Sequence, residues 1–144
     1  MKVIICGPRD FYDYEVVCAA IEASGFDVTE VVSGDASGVD SLAIKWAKNN
    51  KKKLRIMPAK WKDLKVPGAI IKKNKWGQDY NHAAGFQRNQ AMVDYVDPDG
   101  AVIAIVTGSQ GTADTIRKAK VAGLKIFTYD PEDHLKDEDV DYVF

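Results

Sequence analysis

Three polar loops carry the residues whose types and spacing bear on chemistry: Cys6-Gly7-Pro8-Arg9-Asp10, Ser33-Gly34-Asp35-Ala36-Ser37-Gly38 and Thr107-Gly108-Ser109-Gln110-Gly111-Thr112. Each follows a short apolar run and opens a helical pattern. In a parallel α/β sheet such strand-to-helix turns gather at one edge, where free backbone N–H groups and helix dipoles favour anions. The chemistry this predicts is the binding of a phosphate or a nucleotide.

Within the third loop, Gly108 and Gly111 let the backbone turn tightly and approach a ligand, and Ser109 and Thr112 add hydroxyl groups. Arg9, just after the first strand, is suited to grip phosphate in a bidentate way, and Asp10 to orient it or to accept from a ribose hydroxyl; the alternative is a surface ion pair. Asp35, Ser37 and Asp40 lie near the start of the second helix, as ligand contacts or, for Asp35 and Ser37, as its cap. Arg88 and Asn89 fall on a later helix expected to end near the same edge. His82 has no cysteine, histidine or carboxylate at metal-ligand spacing, and no metal and no cofactor are expected. G-x-S-x-G, the Walker lysine motif and G-x-G-x-x-G are all absent from the sequence, which disfavours triad hydrolases, P-loop enzymes and standard dinucleotide binding.

The elements that must position these residues follow a regular rhythm. Val3-Ile4-Ile5-Cys6, Val28 to Val32, Leu54-Arg55-Ile56-Met57, Ala101 to Val106 and Lys125 to Thr128 read as strands. Helical spacing occupies Tyr14 to Ser24, Val39 to Asn49, Ala83 to Tyr95 and Thr112 to Ala122. This order predicts one α/β domain: a doubly wound, Rossmann-like parallel sheet of about five strands, with right-handed crossovers and helices on both faces. With the first strand central, the first and third loops open into one crevice. The domain is expected over residues 1–129, followed by an acidic, solvated extension over 130–144. Residues 59–80 interrupt the rhythm with Trp61, Trp76 and many lysines; a lid, an oligomerisation arm and a plain surface insertion are all open.

With 144 residues and 46% hydrophobic content the chain suits a single core. Its formal net charge of −1 gives no basic excess of the kind that signals sequence-independent nucleic-acid binding. The Lys51-Lys52-Lys53 cluster reads as a solvated helix end. Cys6 and Cys18 are expected as small buried residues, suited to a reducing cytoplasm. The chain enters its first strand directly after Lys2 and no apolar run reaches about 18 residues, so neither export nor a membrane partner is expected.

Taken in order, Gly7-Pro8-Arg9-Asp10-Phe11, Ser33 to Ala43 with Trp46-Ala47, Pro58-Ala59-Lys60-Trp61, Ala84 to Met92 and Gly108 to Asp114 resemble the YspA/YpsA-related branch of the SLOG superfamily. That superfamily groups DNA-processing DprA/SMF proteins with LOG cytokinin-activating enzymes. The resemblance runs from Met1 to Thr128. It implies a Rossmann-like fold that binds nucleotides or ADP-ribose-like ligands, often as a homo-oligomer.

In LOG enzymes, which split a nucleoside 5′-monophosphate into base and ribose phosphate, an arginine works with a glutamate that follows the glycine loop. Arg88 matches that arginine, with Met92 four residues on, but Thr115 stands at the glutamate position. Asp114 is the nearest acid, and one residue along a helix is a turn of about 100°. The resemblance therefore implies a binder, a sensor or sequestering protein that holds its ligand through the three loops. A phosphoribohydrolase using Arg88 and Asp114 is the alternative. A DprA-like single-strand DNA binder is a further one, favoured only by the lysines.

Overall fold

A computed structural model describes residues 1–138 of the chain. Five strands form one parallel sheet: β1 (Lys2–Cys6), β2 (Glu30–Ser33), β3 (Lys53–Ile56), β6 (Ala101–Ile105) and β7 (Lys125–Tyr129), in the order β3-β2-β1-β6-β7. The helices α1 (Tyr14–Ser24), α2 (Val39–Asn49), α3 (Ala84–Val96) and α4 (Gln110–Val121) connect them. The fold is a Rossmann-like doubly wound sheet. A short antiparallel pair, β4 (Ile71–Lys73) and β5 (Asp79–Asn81), lies inside the insertion, and α5 (Pro131–Glu138) follows the last strand.

Alternation along the strands builds two apolar layers. On one face Val3, Ile5, Ala101, Ile103 and Ile105 pack with Val16, Val17, Val39 and Ala43 of α1 and α2. On the other, Ile4, Cys6, Val102 and Ala104 pack with Met92, Val93 and Ala119 of α3 and α4. Because β1 and β6 are covered on both faces, every residue of β6 is buried, which is why that stretch reads as an unbroken apolar run.

Successive strands run outward from β1 through β2 to β3, then resume on its other side with β6 and β7. The C-terminal ends of β1 and β6, paired from Val3↔Ala101 to Cys6↔Ala104, therefore flank the switch point where ligands enter such sheets.

Local signals set most helix boundaries. Asp13 Oδ1 accepts from Val16 N–H at 3.3 Å to start α1, and Gly25, at φ 68°, ends it. Seven residues thus separate Cys6 from α1, so the first glycine loop is not itself a helix N-terminus. The cap of α2 is Gly38, with no side-chain hydrogen bond, in place of the expected Asp35 or Ser37. The predicted extension contains α5; residues 139–144 lie outside the described part.

The β4–β5 pair was not legible as strands. Residues of β4 are all exposed, so no apolar alternation marks them. What holds the segment is Asn81, fully buried. Its backbone N–H donates to Trp61 O at 2.7 Å, its Oδ1 accepts from the N–H groups of Ile70 and Ala83, and its Nδ2 donates to Gln87 Oε1 at 2.8 Å. Gln87 Nε2 in turn donates to Pro67 O at 3.1 Å. One buried amide thus fastens the insertion to the start of α3.

Candidate functional site

The glycines of the three loops have different surroundings. A Cβ on Gly7 would lie 2.6 Å from Val39 Cγ2. Gly38, at φ +73°, sits against the backbone of Pro8 and Arg9, where any side chain would collide. Val39 N–H donates to Pro8 O at 3.2 Å and Ser37 Oγ to Arg9 O at 2.9 Å. Gly38 therefore lets the first two loops pack backbone to backbone, and Gly7 leaves room for the Val39 side chain. Gly34 makes room for a side chain: the Arg88 guanidinium lies over it, and Asp40 Oδ2 is 2.9 Å from where its Cβ would be.

The third loop is built differently. Gly108, at φ +100°, has nothing within 4 Å of a Cβ position, and Gly111 only Ser109 Oγ at 4.0 Å. These two glycines face free space above the N-terminus of α4. Ser109 is the cap residue, with extended backbone and no side-chain cap bond. Thr112, in the first turn, is buried, and its Oγ1 is the one buried side-chain polar atom among the described residues with no hydrogen-bond partner. An unpaired buried hydroxyl costs about 1–3 kcal/mol. Here it sits beside the unpaired N–H groups that begin a twelve-residue helix.

Arg88 reaches the site from α3. Its Nη1 donates to Gly34 O and its Nε to Asn89 Oδ1 at 2.9 Å. Asn89 Nδ2 donates to Gly111 O at 3.3 Å and to Asp114 Oδ2 at 3.1 Å, tying α3 to the third loop. Opposite stands Asp40, whose Oδ2 accepts from Ala36 N–H at 3.2 Å. Burial raises the Asp40 carboxyl above its ordinary value, against the pull of that N–H and of the Arg88 and Arg9 charges. Burial likewise lowers the Arg88 guanidinium, with Asp40 the main opposing charge. Cys6, buried at the end of β1, has its thiol pushed up by burial.

These elements enclose a cleft of about 840 Å³ at the β1–β6 switch point. Gly7, Arg9, Asp10 and Asp40, then Arg88 and Asn89 of α3, and Gly108, Ser109, Gly111 and Thr112 of the third loop all line it. Gly34, Asp35 and Ser37 line a neighbouring recess of about 270 Å³ that shares Arg9, Arg88 and Trp61 with the cleft. Asp114 is not brought in. It is buried, with Arg117 and Lys118 on its two oxygens and Asn89 beside them, while Thr115 lines the cleft. No group of three or more His, Cys, Asp or Glu suited to a metal occurs among the described residues.

The aromatic part of the lining was not foreseen. Trp61 and Tyr80 come from the insertion, His82 from just after it and Phe86 from the start of α3. Tyr80 Oη and His82 Nδ1 are 3.3 Å apart. The available signal was an aromatic residue at each end of the insertion, with Asn81 between Tyr80 and His82.

Comparison with known proteins bears on the fold. The model of the YspA, cpYpsA-related SLOG family matches residues 1–63, which span β1 through β3 and the first two loops. Among solved structures, DNA processing protein A (DprA) from Streptococcus pneumoniae matches with a TM-score of 0.65 and 21% sequence identity, over 99% of this chain. The chain spans 58% of that protein's length, and the likeness is one of fold. No curated protein matches. Among the described residues no helix is long and apolar enough to cross a membrane. Over residues 1–63, the stretch that carries the first three of the five motifs, this chain is similar to the YspA, cpYpsA-related SLOG family.

Proposed function

We propose that the cleft binds a nucleotide or a nucleotide-derived, ADP-ribose-like ligand, with phosphate on the N-terminus of α4, and that the protein acts as a sensor or sequestering module. The observation that carries this reading is Thr112 Oγ1, a buried hydroxyl without a partner beside the unpaired N–H groups of the third loop. An anion there would take up the hydroxyl and the helix N–H groups together. Arg9 supplies an exposed cation on the facing loop, and Arg88 a second one, held in place by Gly34 and Asn89. Similarity to a SLOG family supports a nucleotide-related ligand.

The phosphoribohydrolase alternative needs a carboxylate at the ligand, to stabilise oxocarbenium charge or activate water. Asp114 is engaged with Arg117, Lys118 and Asn89, so we favour binding without turnover. The test is calorimetric titration with AMP and ADP-ribose. Arg9→Ala should weaken binding by about 1.5–3 kcal/mol, the size of a charge-assisted contact, and Gly111→Val should crowd the ligand. Unchanged affinity in both variants would move the site elsewhere. Release of base from AMP, CMP, GMP or UMP, abolished by Arg88→Ala and Asp114→Asn, would establish the enzyme instead.

A further inference from the structure

We infer that Trp61 is the stacking platform for the ligand's aromatic base, so that the insertion, not the glycine loops, distinguishes a base-bearing ligand from a plain sugar phosphate. This rests on the nucleotide reading of the cleft. The lining of the cleft is of two chemical kinds: polar groups and N–H donors of the third loop, and the aromatic side chains of Trp61, Tyr80, His82 and Phe86. A ligand that fits both has an anionic end and a flat heteroaromatic end.

Trp61 is held for this role. Its carbonyl accepts from the N–H of the fully buried Asn81 at 2.7 Å. Its Cη2 lies 3.2 Å from where a Cβ of Gly85 would be, so the glycine at the start of α3 leaves room for the indole edge. Trp61 is nevertheless 37% exposed, and Phe86 beside the same cleft is 42% exposed. Two large aromatic side chains thus stay partly wet at a concave surface, where a flat ring would cover them. The Arg9 guanidinium stands 5.7 Å from the indole centroid. One planar cation of the cleft thus stands near the indole, able to stack and to contact phosphate. A tryptophan that served only to anchor the insertion would be indifferent to the presence of a base.

The experiment titrates wild type, Trp61→Ala and Trp61→Phe with AMP, ribose 5-phosphate and inorganic phosphate. Loss of a base–aromatic stack should weaken AMP binding about tenfold or more in Trp61→Ala, with roughly threefold loss or less in Trp61→Phe, while ribose 5-phosphate changes less than about twofold. As a second readout, AMP should alter the tryptophan emission of wild type, and this change should vanish in Trp61→Phe, which keeps Trp46 and Trp76. If AMP binds wild type and Trp61→Ala equally, or if ribose 5-phosphate loses as much as AMP, the stacking role is wrong and the nucleotide reading stands. If none of the three probes binds wild type, both fall.

Discussion

Thr112 and Asp40 are the two residues whose energetics separate a binding site from a merely well-packed loop. A buried hydroxyl without a partner is a net cost to folding, so Thr112→Val, which keeps the shape, should leave stability unchanged or raise it by up to about 1 kcal/mol. The same change should weaken binding of inorganic phosphate or AMP about tenfold, a loss of roughly 1.4 kcal/mol. Urea unfolding and calorimetry read the two effects separately; a drop in stability would mean that the hydroxyl is bonded within the fold. Asp40 gives a pH signature. Its carboxyl titrates above the ordinary carboxylate value in the folded state because it is buried, facing Arg88, Arg9 and Asp35. Between the two values the folded state binds more protons than the unfolded one, so stability falls as pH rises through that window. Asp40→Asn, which keeps an acceptor for Ala36 N–H, should be at least as stable as wild type at neutral pH, and the difference should shrink in acid. A wild type that gains stability relative to the variant as pH rises through the window would contradict a carboxyl raised by burial.

At the level of elements, the three glycine loops looked alike in the sequence, and only tertiary contacts tell them apart. Gly7 and Gly38 are required by Val39 and by the backbone of Pro8 and Arg9, segments that approach from elsewhere in the chain. Gly108 and Gly111 face the cleft. Gly38→Ala should therefore destabilise the fold by at least about 2 kcal/mol, combining a positive φ with a steric clash, whereas Gly111→Ala should cost less than about 0.5 kcal/mol in stability; thermal unfolding distinguishes them. The sheet strands were legible because burial on both faces demands unbroken apolar runs. The β4–β5 pair was not, because a side-chain amide holds it and little apolar burial marks it. Asn81→Ala should release that segment locally: amide hydrogen exchange at Ile70 and Ala83 should accelerate while β1 and β6 keep their protection. Unchanged exchange at Ile70 would show that the hairpin stands without its buried asparagine. The aromatic lining stayed hidden for the same reason, since Trp61 and Phe86 come to one cleft only once the insertion is tied to α3.

For the whole molecule, the placement of the cleft followed from the order of strands and helices, which puts the C-terminal ends of β1 and β6 side by side. The chemistry of the candidate site was only partly legible, because Asp114 and Thr115 differ by one position in sequence yet face different surroundings: an ion-pair cluster and the cleft. The net charge of −1 argues against a polyanion as main partner, although the chain shares a fold with DprA. Single-stranded DNA binding that involved Lys72, Lys73 and Lys75 would weaken steeply with salt, with a slope of about −0.7 per phosphate contact. We expect no tight, salt-sensitive binding of this kind in a fluorescence anisotropy titration.

Whether an anion is held at the start of α4 is read by an amide ¹H–¹⁵N NMR titration with inorganic phosphate and then AMP. Saturable shifts should concentrate at the amides of Gly108 to Thr112 and extend, with AMP, to the indole N–H of Trp61. Shifts confined to Lys51, Lys52 and Lys53, or a third loop that stays unmoved at saturating ligand, would contradict an anion held there.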